Sequence, residues 1–248
     1  MDRRPLVVAA IPARYASTRF PGKPLAELAG EPMIAHVVRR ARSAASVDHV
    51  LVATDDERIA RAAEAAGAEA VMTGECASGT DRIAEAVRGR SEAWDLVVNL
   101  QGDEPLLPAE NIDALVAGMA AAEPGVGIGT LCRPLPPSRR DDPNAVKVVR
   151  DARGRALYFS RSIVPYPRDE AVAAPLWRLH LGIYCFRRPT LEAFVQLPPS
   201  PLERAEGLEQ LRALEHGLGI VVMDAPGEAM GVDTPEDLAR VAARMGAG

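Results

Sequence analysis

Three cations crowd one short loop. Arg14, Arg19 and Lys23 fall between positions 14 and 23, beside the hydroxyls of Ser17 and Thr18 and close to Gly22. The loop follows an apolar run, "LVVAAI" at 6–11. Backbone amides, a glycine and cations after a strand can cradle phosphates. The plainer reading is a solvated turn that happens to be basic. The spacing is not that of a Walker A loop, because Ser17 stands five before Gly22 and Pro24 follows Lys23. "GVGIG" at 125–129 has neither the spacing nor the following helix of a dinucleotide fingerprint.

Two carboxylates sit in comparable places. Asp103 comes just past the apolar run of "NLQGDEP", and Asp233 ends the run before "TPEDL". Such groups suit Mg²⁺, a hard cation that pairs carboxylates with phosphates. Turn formation at Asp103 and capping at Asp233 are the alternatives. In "SGTDR", Ser78, Thr80 and Arg82 lead into a helix, either as nucleotide contacts or as an ordinary N-cap. Further on stand Arg161, His180, Tyr184, Glu209 and Gln210. They are polar groups that could line a sugar-acid pocket, though each taken singly reads as structural.

The elements that must position these residues alternate. Apolar runs at 6–11, 49–54, 68–73 and 95–100 read as strands. Between them lie helical patterns starting near Pro32, after Thr54, at 78 and after Pro108. Thr54 and Glu57 match a capping box, which accounts for Asp55 and Asp56 as the start of a helix. His36 falls on the arginine-rich side of its helix and is expected to be solvated. This alternation predicts an α/β fold of Rossmann-like type: a mostly parallel sheet with helices on both faces. From 126 to 187 the runs become strand-like without helices between them. This predicts an inserted antiparallel subregion for substrate or dimer contacts within a single domain spanning 1–248. "PTLEAFVQL" and "ERAEGLEQLRALEHG" read as helices, and "GIVVMDA" reads as a strand. A last helix opens with Thr234 as N-cap and Pro235 at its first position, burying Leu238, Val241, Ala242 and Met245.

The chain has 248 residues, 48% of them hydrophobic, and a formal net charge of -5. That balance speaks against nucleic acid as a partner, which needs a basic face, but not against small anions held by local charge. Neither a signal peptide nor a membrane span is visible, so a cytoplasmic location is expected. Cys76, Cys132 and Cys185 lack metal-ligand spacing and read as reduced, mostly buried thiols.

Together, "IPARYASTRFPGKPL", "ASGTDR", "NLQGDEP", "NAVKVV", "ALYFSR", "HLGIY", "PLERAEGLEQLR" and "GVDTPEDL" resemble, in order, the motifs of the 3-deoxy-manno-octulosonate (KDO) cytidylyltransferases. The resemblance runs from about Val7 to Arg244. It implies a nucleotidyltransferase fold and transfer of CMP from CTP to KDO, for lipopolysaccharide synthesis. It also implies a cytoplasmic, Mg²⁺-dependent homodimer. By motif, Arg14, Ser17, Arg19 and Lys23 would hold the CTP phosphates. Ser78, Thr80, Arg82 and Gln101 would bind the rest of the nucleotide. Asp103 and Asp233 would ligate Mg²⁺, and Arg161, His180, Tyr184, Glu209 and Gln210 would contact KDO. Lys23, Asp103, Asp233 and Arg14 would be the catalytic set. One departure concerns the sugar: Leu179 stands before His180 where a basic residue is common, with Arg178 one place earlier. A related acid sugar, 8-amino-KDO or a sialic acid, is the alternative substrate.

Overall fold

The computed structural model describes residues 3–16, 20–88, 90, 93–232 and 234–246. The chain divides into two compact units, Met1–Asp113 with Pro226–Gly248, and Ala114–Ala225.

The first unit opens with β1 (Val7–Ala13), in which Val7 to Ile11 are wholly buried. A strand that buries both faces needs this unbroken apolar run. After the basic loop, β2 (Glu27–Leu28) and β3 (Glu31–Pro32) form a short hairpin. Helix α1 (Met33–Ser43) buries Met33, Ile34, Val37, Val38 and Ala41. His36 departs from expectation. It is buried, because its Nε2 meets the Leu28 carbonyl at 2.7 Å and so gains a partner on the hairpin side.

Next come β4 (His49–Thr54) and α2 (Glu57–Ala65). The cap of α2 is Asp56, whose carboxylate accepts the Arg58 amide; Thr54 Oγ1 instead accepts the Asp56 amide. Then follow β5 (Glu69–Met72), α3 (Gly79–Arg88), β6 (Leu96–Asn99) and α4 (Ala109–Ala121). β1 pairs in parallel with both β4 and β6, and β4 with β5. The carboxyl ends of these strands therefore share one edge, where open α/β sheets bind ligands.

In the second unit, β7 (Val126–Pro134) is followed by β8 (Lys147–Arg150), β9 (Ala156–Ser160), α5 (Glu170–Ala173) and β10 (Arg178–Arg187). β10 runs antiparallel to β7 and β8, and β8 antiparallel to β9. Helices α6 (Arg188–Phe194), α7 (Pro201–Glu206) and α8 (Gln210–Glu215) then lead to β11 (Gly219–Asp224), parallel to β7. The single helix expected over 203–217 is thus broken. Gly207 takes φ 61°, a left-handed conformation that ends α7 and that residues with a Cβ adopt at a cost.

The chain closes in the first unit with α9 (Pro235–Gly246). Thr234 caps it as expected: its hydroxyl accepts the Asp237 amide, and the Asp237 carboxylate accepts the Thr234 amide. Val241 is fully buried, packed with Leu28, Met33 and Val232 and flanked by Leu238, Ala242 and Met245.

Candidate active site

At the carboxyl ends of β1 and β6 the first unit has a cleft of about 290 Å³. Arg14, Lys23, Ser78, Arg82, Gln101 and Asp103 line it, together with Pro12, Cys76, Gly79 and Gly102. Six residues picked from three separate motifs therefore face one space. Ser17, Arg19 and Asp233 lie outside the described residues.

The basic loop is tied at its base, where the Gly22 amide donates to the Tyr15 carbonyl (3.0 Å). Lys23 then begins a short 3₁₀ turn, and its Nζ donates to Asp103 Oδ2 at 2.6 Å and to the Val232 carbonyl at 2.9 Å. The Val232 amide in turn donates to the Asp103 carbonyl (2.8 Å). Three distant segments are thus joined at one ammonium and one carboxylate. Close approach is part of the construction. A Cβ on Gly102 would stand 3.1 Å from the Pro12 carbonyl oxygen, tighter than side chains normally sit.

The amino end of α3 opens on the same cleft. The helix dipole favours an anion there. Ser78 caps the helix at the edge of the cleft. Its hydroxyl accepts the Asp81 amide and donates to the Asp81 carboxylate, as a cap does, while the residue also lines the cleft. Arg82 is 4% exposed, and its guanidinium is aimed by Thr73 Oγ1 (2.5 Å) and Asp55 Oδ2 (2.7 Å). Thr80 is buried beneath the floor. Its Oγ1 accepts from Asn99 Nδ2 (3.4 Å), and Asn99 Oδ1 accepts from Gln101 Nε2 (3.3 Å). Burial, the hydrogen bond to Glu85 and that residue's charge push the Cys76 thiol up to about 11.

Asn99 and Asp55 were not singled out from sequence as site residues. Asn99 had left a trace, as the polar residue in an otherwise apolar strand. Asp55 had a sufficient local explanation that hid its distant partner.

The sugar-acid candidates all lie in the second unit. The pairing of β10 with β7 shifts between Leu181 and Tyr184. Bulges of this kind re-aim side chains near functional sites. The rings of His180 and Tyr184 come to 5.5 Å between centroids, against roughly 13 Å for four residues along a straight strand. Thr130 fills the irregularity: its hydroxyl donates to the Ile183 carbonyl (2.8 Å) and lies 2.9 Å from His180 Nε2. Burial pushes the imidazole down to about 3, so it is neutral near pH 7. Burial, and then the charge of Glu209, raise the Tyr184 phenol. Gln210 is buried at the start of α8. Arg161 is engaged by backbone, donating to the carbonyls of Glu206 (2.6 Å), Pro143 (2.9 Å) and Gly207 (3.3 Å).

Comparison with known proteins shows the family. The cytidylyltransferase family model matches residues 8–222. The 3-deoxy-manno-octulosonate cytidylyltransferase of Anaeromyxobacter sp. (strain Fw109-5) is 56% identical over 242 residues, 98% of each chain. The chain belongs to the 3-deoxy-manno-octulosonate cytidylyltransferase family. The member from Syntrophotalea carbinolica is 50% identical, over 96% of this chain and 98% of that one. A CMP:2-keto-3-deoxy-manno-octonic acid synthetase solved in complex with CTP superposes with a TM-score of 0.92 at 43% identity, covering 98% of this chain and 99% of that one. Among the described residues of this cytidylyltransferase, no helix is long and apolar enough to cross a membrane.

Proposed function

We propose that this protein transfers CMP from CTP to the anomeric hydroxyl of KDO, releasing pyrophosphate. The observation that carries the reading is the convergence of Arg14, Lys23, Ser78, Arg82, Gln101 and Asp103 on one cleft beside the amino end of α3. Support for the nucleotide and the sugar comes from the names of the relatives and from the CTP in the structural neighbour.

In this reading Arg14 and Lys23 bind the triphosphate and stabilise the charge that grows on departing pyrophosphate. Ser17 and Arg19 join them, by motif. Ser78 and the positive end of the α3 dipole face phosphate oxygens, and Arg82 is held ready by Asp55. Gln101, steadied by Asn99 and Thr80, faces the nucleoside. Asp103 accepts the Lys23 ammonium; with Asp233, by motif, it would hold Mg²⁺.

The Asp103 carboxylate at the cleft is a donor of the kind that ion takes. No group of three metal-binding side chains occurs among the described residues. Mg²⁺ characteristically uses one or two carboxylates and completes its shell with water and phosphate. When bound, it would offset phosphate charge and lower the pKa of a hydroxyl placed on it. In the second unit His180, Tyr184, Glu209 and Gln210 would hold KDO, with Arg161 bracing them. His180 would act as a neutral hydrogen-bonding partner. The reading also implies a cytoplasmic homodimer. Tyr166 and Leu176, 82% and 56% exposed, would suit a face covered by a second copy.

A panel assay for pyrophosphate release tests the specificity. CTP with KDO should turn over, and UTP or ATP should not. A preference for 8-amino-KDO or a sialic acid over KDO would move the assignment to that sugar.

A further inference from the structure

Lys147 has no exposed surface, although it sits in a strand two residues from the turn at Ala145. Its ammonium donates to the carbonyls of Asp142 and Arg161, each at 2.8 Å. Burying an ammonium costs free energy unless it is well hydrogen-bonded, and an apolar side chain of similar size fills such a place at lower cost. A buried lysine that holds two carbonyls is therefore a device for fixing backbone.

What it fixes leads to the sugar candidates. Arg161, pinned through its own carbonyl, passes its guanidinium to the carbonyls of Glu206 and Gly207, where α7 ends. Glu206 answers from the other side, accepting the Ser160 hydroxyl (2.7 Å) and the Arg161 amide (2.9 Å). Two and three residues beyond Gly207 come Glu209 and Gln210. The α7–α8 junction is thus clamped by β9, and β9 by Lys147.

We propose that Lys147 is a positioning residue for the acid-sugar site, acting through Arg161 on the junction that presents Glu209 and Gln210. The sugar assignment rests on the functional reading above; the clamp itself does not.

Amide hydrogen exchange on the full chain, without substrate, reads the clamp directly. In Lys147→Met the amides of Leu208, Leu211 and Arg212 should exchange about 10-fold faster while β1 stays within about two-fold of wild type. Unchanged exchange at those amides overturns the proposal. Ser160→Ala cuts the same clamp without stranding a charge. It should speed the same amides if Lys147→Met does not fold, and no change there is equally fatal.

In steady-state kinetics Lys147→Met should raise KM for KDO by about 10-fold and leave KM for CTP within about two-fold. An equal rise in both overturns the positioning role. The Lys147→Met/Arg161→Lys double variant should be no worse than the poorer single, since residues acting in series do not add. Multiplied losses would contradict action through Arg161. If the wild type releases no pyrophosphate from CTP and KDO, the functional reading fails, and the exchange result still decides the clamp.

Discussion

Lys23 and Asp103 stand 80 residues apart in sequence and 2.6 Å apart in space. Their side chains are 17% and 31% exposed, so the pair sits at the mouth of the cleft rather than deep in the core. Each charge satisfies the other.

Asp103→Asn keeps the shape and removes the charge. Turnover should fall by about 10²-fold or more, the usual cost of losing a group that handles transition-state charge. The melting temperature should change little, because a partly exposed pair contributes little to stability. Kinetics and a thermal melt on the same sample check both statements.

Asp55→Asn tests the support of Arg82. The guanidinium is 4% exposed and keeps Thr73 as its other described partner. Losing a hydrogen bond to a charged group should cost about 1.5–3 kcal/mol of stability. KM for CTP should rise as Arg82 loses its aim. Thermal denaturation and CTP titration measure the two effects.

His180 fixes a pH dependence. Burial lowers its folded-state pKa from 6.5 to about 3. The unfolded chain therefore binds the proton more readily across that interval, and stability rises with pH there. The contribution is whole above about 6.5 and is lost as pH falls from there towards about 3. Replacing His180 with Gln should flatten the fall in melting temperature over that window. Wild-type KM for KDO should show no inflection near pH 6.5 from this residue.

Legibility in the sequence followed locality. β1 was readable because an unbroken apolar run serves a strand buried on both faces. The start of α9 was readable because Thr234 and Pro235 are local signals with a local cause. The break at Gly207 was not, since the helical periodicity runs straight across it and a single glycine does not by itself end a helix. The distant guanidinium of Arg161 takes the carbonyls at that point. His36 was misplaced because a helical wheel does not contain the hairpin that covers it. Of the site, the basic loop, "SGTDR" and Asp103 announced themselves by residue type after apolar runs. Asn99, Asp55 and Lys147 act through partners far away in the chain, and no spacing rule carries that information.

The central claim is CMP transfer from CTP to KDO. Phosphorus-31 NMR of the purified protein with CTP, KDO and Mg²⁺ follows it directly. The account predicts loss of the three CTP resonances and growth of one phosphodiester signal together with pyrophosphate. It predicts no change when KDO is omitted or Mg²⁺ is chelated. CTP that stays intact with KDO present, or that breaks down to CMP and pyrophosphate without forming the phosphodiester, would contradict it.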